Sequence, residues 1–161
     1  MNREFPTCVV VADQSEARIY LLRGAAMRLA ARLENEAAHL HDRDLKSDRP
    51  GRVFDRAPTL RGRRGAVGHH ATGGERKPRR QVELAFARSI AAAAAATRRS
   101  ASFDRLVLVA GPRFLGQLRR TLAAPLRTRV FAELAKDWVH LPAATLRARV
   151  SSAVRRAAGR P

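Results

Sequence analysis

Two short, unbroken apolar runs constrain the fold more than any other feature of this sequence. They are "TCVVVA" at Thr7–Ala12 and "LVLVA" at Leu106–Ala110. Runs of this length that carry no charge are typical of strands buried on both faces, and such strands occur where helices cover both sides of a sheet. The two runs therefore predict an α/β domain.

Two further strands are expected after the first run. Ala17–Leu22 follows the polar break at Asp13–Ser15, and this spacing predicts a hairpin. Met27–Leu33, "MRLAARL", fits either a third strand or a short helix, because its alanines favour helix and the short connection favours strand. We predict a strand.

Helices and strands alternate in the second half of the chain. Apolar residues at helical spacing predict a helix over Arg79–Thr97, with Glu83 off its apolar stripe. Arg113–Leu122 and Thr145–Ala157 are predicted helices, and Arg129–Leu134 is a predicted strand. The expected order is β-β-β-α-β-α-β-α around a mixed sheet, an RNase H-like or ribosomal-protein-like arrangement in a single domain over residues 1–161.

Periodicity is absent from about residue 39 to residue 78, where glycines, prolines and arginines cluster. Loops of this length in compact domains are usually functional or disordered. Arginine-rich flexible segments often bind RNA phosphates, which makes this loop a predicted RNA-binding site; the alternative is a solvated loop swollen by like charges. Phe54 is the one ring nearby, so contacts to the RNA backbone are expected rather than base stacking. The predicted RNA-binding residues are Arg61, Arg63, Arg64, Arg76, Lys77, Arg79 and Arg80.

The net charge points to an anionic partner. The chain has 32 Lys+Arg against 14 Asp+Glu, a formal charge of +18. Such a charge attracts nucleic acid or an anionic membrane surface first, and an acidic protein next. The preference for arginine over lysine is also expected of a GC-rich genome, but base composition explains the excess over carboxylates less easily. A basic C-terminal helix would extend the binding surface through Arg147, Arg149, Arg155 and Arg156.

Several kinds of site are not expected. Cys8 is the only cysteine, so neither an intrachain disulfide nor a thiolate metal cluster can form. No Walker A, Rossmann or G-x-S-x-G pattern occurs, which leaves cofactor binding and nucleophilic catalysis without support. The apolar run near the start is too short for a signal sequence or a membrane span. We therefore expect a cytoplasmic binding protein rather than an enzyme, with no cofactor and no metal.

A two-metal nuclease is the enzyme that an RNase H-like order would suggest. Asp13 and Glu83 stand at two of the required positions, but Gly111 follows the fourth strand where a third carboxylate is needed. Asp104 lies at the opposite end of that strand. We therefore predict that Asp13 is a turn or cap carboxylate. His39 and His41 could share a face, although two loop histidines are more often solvated than metal-bound.

Four segments resemble the bacterial host attachment protein family, which is named for a proposed role in attaching bacteria to host cells. They are "VVVADQSEARIYLL" at Val9–Leu22, "LHDRDLKSDRPGRVFD" at Leu40–Asp55, "FDRLVLVAGPRFLGQLR" at Phe103–Arg119 and "ELAKDWVHLP" at Glu133–Pro142. The motif residues that this resemblance singles out are Asp13, Arg18, Asp48, Arg49, Gly51, Arg52, Arg113, Phe114, Lys136 and Asp137.

That family is in turn similar to the central domain of archaeal and eukaryotic peptide-chain release factors, whose Gly-Gly-Gln loop enters the peptidyl-transferase centre. The comparable loop here has Gly73 and Gly74 followed by Glu75 in place of the glutamine. The resemblance implies contact with the ribosome or with RNA. The alternatives are adhesion to an anionic host or membrane surface and release-factor-like hydrolysis of peptidyl-tRNA.

Overall fold

The computed structural model describes residues 5–39 and 76–159, which form a five-stranded mixed sheet in the order β3-β2-β1-β4-β5. The strands are β1 Thr7–Ala12, β2 Glu16–Arg23, β3 Ala26–Glu34, β4 Arg105–Ala110 and β5 Val130–Ala135. The helices are a 3-10 helix at Glu36–His39, α1 Arg76–Ser100, α2 Pro112–Thr121, α3 Ala124–Arg127 and α4 Ala143–Ala158. The predicted α/β class with a mixed sheet is confirmed.

The two apolar runs are neighbours at the centre of the sheet. β1 pairs in parallel with β4 over its whole length. Val10 and Leu108 face one apolar core, whereas Val9 and Val107 face the other. Both strands are therefore buried on both faces, and this is why neither run alternates with polar residues.

Helices supply the two cores. α1 and α2 pack on one face of the sheet, where Phe86 and Phe114 stack with their ring centroids 6.2 Å apart. α4 packs on the other face through Leu146 and Val150. Within the described residues, no helix has the length and hydropathy needed to cross a membrane.

β3 is a strand, as predicted, and pairs antiparallel with β2 at one edge of the sheet. Gly24 and Ala25 form the turn between them. Gly24 has a φ of 56°, in the left-handed region that glycine adopts without strain. So short a turn sets the pairing beside it, up to Tyr20 with Leu29, and a bulge then shifts the register at Ile19. The pairing overrides the helical propensity of the alanines in β3.

The structure corrects two expectations about the first helix. α1 begins at Arg76 rather than Arg79, so the segment that lacks periodicity in the sequence ends before residue 78; Pro78 is tolerated because it lies in the first turn. Glu83 was expected off the apolar stripe, and this was wrong: the residue is 5% exposed. The predicted order also lacked the 3-10 helix and α3, both too short to show periodicity. The RNase H-like arrangement stays a prediction.

The direction of the strands gives the sheet two chemically distinct edges. β1, β4 and β5 are parallel, so their carboxyl ends share one edge and their amino ends share the other. α1 and α3 end a few residues before β4 and β5 begin. The C-terminal turns of these helices therefore lie at the edge formed by the amino ends of the strands.

The buried position of β4 predicts a large cost for truncating it. Leu106 is 0% exposed, whereas Leu29 on β3 is 47% exposed. We expect Leu106→Ala to lower the free energy of unfolding by about 2–5 kcal/mol, because it opens a cavity between β4 and α1. Leu29→Ala should cost less than about 0.5 kcal/mol. Urea denaturation followed by circular dichroism measures both; equal costs would contradict the assignment of β4 to the core.

Candidate functional site

A cleft of about 380 Å³ lies at the edge formed by the carboxyl ends of β1 and β4. Its walls include Asp13, Gly111, Arg113, Phe114 and Asp137. Open α/β sheets commonly bind ligands at this position, where chain connections leave neighbouring parallel strands in opposite directions. Four residues singled out by the family resemblance are thus brought together here, although they lie up to 124 positions apart in the sequence.

Asp13 shapes the turn that follows β1. Its Oδ1 atom accepts hydrogen bonds from the Ser15 backbone N–H at 2.7 Å, the Ser15 hydroxyl at 2.8 Å and the Glu16 backbone N–H at 2.7 Å. These bonds close the turn between β1 and β2. The prediction that Asp13 is a turn carboxylate is confirmed.

Asp13 also lies close to two other potential metal ligands. One ligand atom from each of Asp13, Asp137 and His140 falls within 4.8 Å of the others, and His140 Nε2 is 3.5 Å from Asp13 Oδ2. These side chains could together contact one cation. Asp137 and His140 are exposed, however, and exposed acidic groups often approach one another without binding metal. The cluster alone does not define a metal site.

Glu83 forms a buried polar contact behind the cleft. Its Oε2 atom accepts a hydrogen bond from Gln117 Nε2 at 3.0 Å and contacts Arg113 Nη2 at 3.4 Å. A buried carboxylate requires such partners because desolvation is costly. The interaction joins α1 to α2 and holds the otherwise exposed guanidinium of Arg113 beside the cleft. Glu83 thus has a positioning role that its sequence context did not reveal.

The other family-motif residues are distributed differently. Arg18 on β2 donates to Glu16 at 2.7 Å and to the Leu141 carbonyl at 3.4 Å, and its hydrogen bond with Glu16 raises the pKa of its guanidinium. Lys136 is exposed directly after β5. Four residues lie outside the described residues: Asp48, Arg49, Gly51 and Arg52.

Most of the predicted RNA-binding loop also lies outside the described residues. Arg61, Arg63, Arg64, Gly73, Gly74 and Glu75 belong to that part of the chain. Arg76, Lys77, Arg79 and Arg80 lie in the first turns of α1 rather than in a loop. The RNA contacts proposed for the arginines and for Lys77 stay predictions, as does the release-factor-like role of Gly73, Gly74 and Glu75.

Cationic side chains gather at the edge formed by the amino ends of the strands. They come from the end of β2, the last turns of α1 and α3, the starts of β4 and β5, and the face of α4 beside the Gly24–Ala25 turn. We call this surface the arginine edge; its members are Arg23, Arg98, Arg99, Arg105, Arg127, Arg129, Arg147 and Arg155. Within the described segments that form it, Asp104 is the one acidic residue.

Backbone carbonyls, not carboxylates, hold several of these guanidinium groups. Arg23 Nη2 donates to the Ser102 carbonyl at 3.3 Å, and Arg127 Nη2 donates to the Leu122 carbonyl at 2.9 Å. A carbonyl fixes the direction of a guanidinium without neutralising its charge. The arginine edge therefore combines ordered side chains with uncompensated positive charge.

Two further arginines of this edge are held in the same way. Arg98 donates to the carbonyl of Phe103, and Arg147 donates to the carbonyl of Ala25 in the β2–β3 turn. In contrast, Arg119 on α2 forms an ion pair with Glu133 at 3.2 Å. We therefore leave Arg119 out of the arginine edge.

Sequence reasoning included Arg147 and Arg155 in the expected anionic-partner surface but missed the rest of the arginine edge. Its members come from separate segments, and only the folded sheet brings them together. The available signal was the placement of arginines in the last turns of α1, α3 and α4.

Cys8 can be set aside as a nucleophile. It lies on β1 and is 0% exposed, and burial raises the pKa of its thiol to about 12. The thiolate needed for nucleophilic attack is therefore scarce at neutral pH.

Comparison with known families covers the part of the chain that contains the cleft. The family model described as "Protein required for attachment to host cells" matches residues 8–150, nearly the whole chain. The chain belongs to this host attachment family. No curated protein matches the sequence. The match spans the sheet, the cleft and the first half of α4, so these features belong to the family region of the chain.

The hydrogen bonds of Asp13 yield a prediction with a closely matched control. Asp13→Ala removes the acceptor for three hydrogen bonds and should lower the free energy of unfolding by about 1–2 kcal/mol. Asp13→Asn keeps a carbonyl oxygen at the same position and should cost less than half as much. Thermal and urea denaturation at neutral pH measure the difference; equal losses would show that the negative charge, rather than the turn, is what matters.

Proposed function

We propose that this host attachment family protein binds the phosphate backbone of RNA through the arginine edge, as a cytoplasmic, non-enzymatic domain associated with structured RNA such as ribosomal or transfer RNA. The observation that carries the proposal is the arginine edge itself, with eight guanidinium groups and one acidic residue in the described segments that form it. Guanidinium groups pair with phosphates through two parallel hydrogen bonds, which suits an RNA backbone.

Helix stability explains only part of this arrangement. A cation in the last turn of a helix interacts favourably with the helix dipole, by about 0.3–1 kcal/mol. This accounts for positions such as Arg99, Arg127 and Arg155. Arg23 and Arg105 lie on strands, where no helix dipole requires them. Binding of an anionic partner accounts for both groups at once.

The predicted RNA-binding loop would add to this surface. Its arginines, together with Arg79 and Arg80, belong to the proposal on the strength of their charge and spacing in the sequence. Arg79 and Arg80 lie in the first turns of α1, whereas the C-terminal turns of that helix lie at the arginine edge. The arginine edge is proposed as the primary contact because backbone carbonyls hold several of its guanidinium groups in place.

Attachment to a host surface is the second candidate, and the family description favours it. The same guanidinium groups would bind sulfated or carboxylated glycans, or anionic lipid headgroups, because these also present closely spaced anions. The two candidates differ in where the protein acts rather than in which residues it uses.

Release-factor-like hydrolysis of peptidyl-tRNA stays a prediction from the resemblance alone. It would depend on Gly73, Gly74 and Glu75, which lie outside the described residues.

Neutralising part of the arginine edge should weaken RNA binding and reduce its salt dependence. Each phosphate contact contributes about 0.7–0.9 to the slope of log K against log salt. We expect the triple variant Arg99→Gln, Arg127→Gln and Arg155→Gln to reduce this slope by about 2 and to weaken binding at low salt. Filter binding of a structured RNA between low and high salt measures both effects.

Two matched triple variants make this test specific. Lysine at the same three positions keeps the charge and should keep most of the salt slope. Glutamine at Arg61, Arg63 and Arg64 removes the same charge from the loop and should have the smaller effect. If the slope of log K against log salt fell in the loop variant and stayed unchanged in the edge variant, the primary RNA contact would lie in the loop.

Cellular location separates RNA binding from attachment. We expect fractionation to recover the protein with cytoplasmic RNA and ribonuclease treatment to release it, because the proposed partner is intracellular. Heparin, a sulfated glycan, should be displaced from the purified protein by RNA. Recovery at the cell surface, unaffected by ribonuclease, would instead support direct attachment to the host.

A further inference from the structure

Two aromatic rings contact one arginine within the arginine edge. The guanidinium carbon of Arg105 lies 4.1 Å from the centroid of the Phe5 ring and 4.2 Å from the centroid of the Phe131 ring. Phe5 precedes β1, Arg105 begins β4 and Phe131 lies on β5. The stack therefore crosses three segments at the amino ends of the central strands.

Backbone contacts fix the segment that carries Phe5. The carbonyl of Pro6 accepts hydrogen bonds from the Asp104 N–H at 2.8 Å and the Arg105 N–H at 3.3 Å. The Thr7 hydroxyl donates to the Phe5 carbonyl at 2.9 Å. The Phe5 ring is consequently attached to a backbone that the sheet itself holds in place.

Phe5 nevertheless remains 40% exposed, and Leu29 is the other large apolar residue that is so exposed in the described part of the chain. Arg105 occupies one face of the Phe5 ring. A partly exposed aromatic ring that is fixed at its backbone and has a guanidinium group against it has the features of a stacking platform for bases.

We propose that Phe5 stacks on an unpaired base of a bound RNA strand while the surrounding arginines contact its phosphates. This inference rests on the proposed function and narrows its substrate to RNA with at least one accessible, unstacked base. The occupant is a nucleobase because the charge around Phe5 attracts a polyanion, and a nucleic acid carries flat rings together with its phosphates. Arg105 makes a cation–π contact with the Phe5 ring and so supports the ring on which the base would stack.

The consequence is a preference for single strands that depends on bases. Fully paired RNA hides its bases in the helix, so a duplex can use only the phosphate contacts. A single strand can use both kinds of contact. The sequence indicated backbone recognition alone, because Phe5, Arg105 and Phe131 are far apart in the chain and no ring but Phe54 lies near the basic loop.

Abasic RNA provides the sharpest test, because it keeps the phosphates and removes the stacking partner. We expect the wild-type protein to bind an eight-nucleotide oligoadenylate at least about fivefold more tightly than its abasic counterpart. The abasic strand cannot stack a base on Phe5, and the loss of one stacked base lowers affinity by about this factor. Phe5→Leu keeps apolar area but loses the aromatic face, and it should abolish most of this difference. Phe5→Trp should preserve or increase it.

Controls separate stacking from folding and from charge. Leu29→Ala removes a comparably exposed apolar side chain from β3 and should leave the ratio of the affinities for oligoadenylate and the abasic strand unchanged. Phe5→Leu should bind a perfect duplex within about twofold of wild type, because the phosphate contacts are intact. In the wild-type protein, ring-labelled phenylalanine should show an upfield shift of the Phe5 resonances with oligoadenylate but not with the abasic strand. This measurement uses the wild-type protein, and a Phe5 variant is needed only to assign the resonances.

The outcomes distinguish this inference from the function on which it rests. Salt-dependent RNA binding with equal affinity for base-bearing and abasic strands, and no shift at Phe5, would overturn the stacking role while leaving phosphate binding in place. An absence of salt-dependent binding to any RNA would overturn both. A higher affinity for the base-bearing strand than for the abasic strand, lost in Phe5→Leu and kept in Phe5→Trp, would support both the stacking role and phosphate binding.

Discussion

The parallel pairing of β1 and β4 is the contact on which the rest of the molecule depends. Both strands are buried on both faces, so helices must cover each side of the sheet, and the parallel direction requires α1 to run back across the sheet before β4 can begin. The same rule applies to the connection from β4 to β5. The turn and cleft residues that follow the strands therefore lie at the edge formed by the carboxyl ends of the strands. The ends of the preceding helices lie at the edge formed by the amino ends.

This division separates the charges of the domain. Asp13, Glu83 and Asp137 lie at or behind the cleft on the carboxyl side, where each has a charged or hydrogen-bonding neighbour. The arginine edge on the opposite side has one acidic residue in its described segments, and carbonyls orient several of its side chains. Eight described arginines thus share one edge of the sheet, where Asp104 is the one acidic residue of the described segments that form it. This grouping makes a specific polyanion-binding surface a stronger hypothesis than a generally basic protein.

The elements that the sequence predicts well are those whose burial is continuous or periodic along the chain. β1 and β4 are unbroken apolar runs, and α2 has a clear apolar face. Glu83 was misplaced because helical periodicity treats a carboxylate as exposed, whereas its partners Arg113 and Gln117 are supplied by a helix 30 or more positions away. The cleft and the aromatic stack were likewise inaccessible to local patterns, since each joins residues from opposite ends of the chain. The family resemblance identified four cleft residues but not that they meet.

Ultraviolet crosslinking of the full-length protein to RNA, with mass-spectrometric identification of the modified peptides, tests the central claim most directly. The account predicts nucleotide adducts on the peptide that contains Phe5, with further adducts around Arg99 and Arg127, and their loss when unlabelled single-stranded RNA is added in excess. Adducts confined to residues 40–75, or to the cleft around Asp13 and Asp137, would contradict it, because RNA would then bind away from the arginine edge.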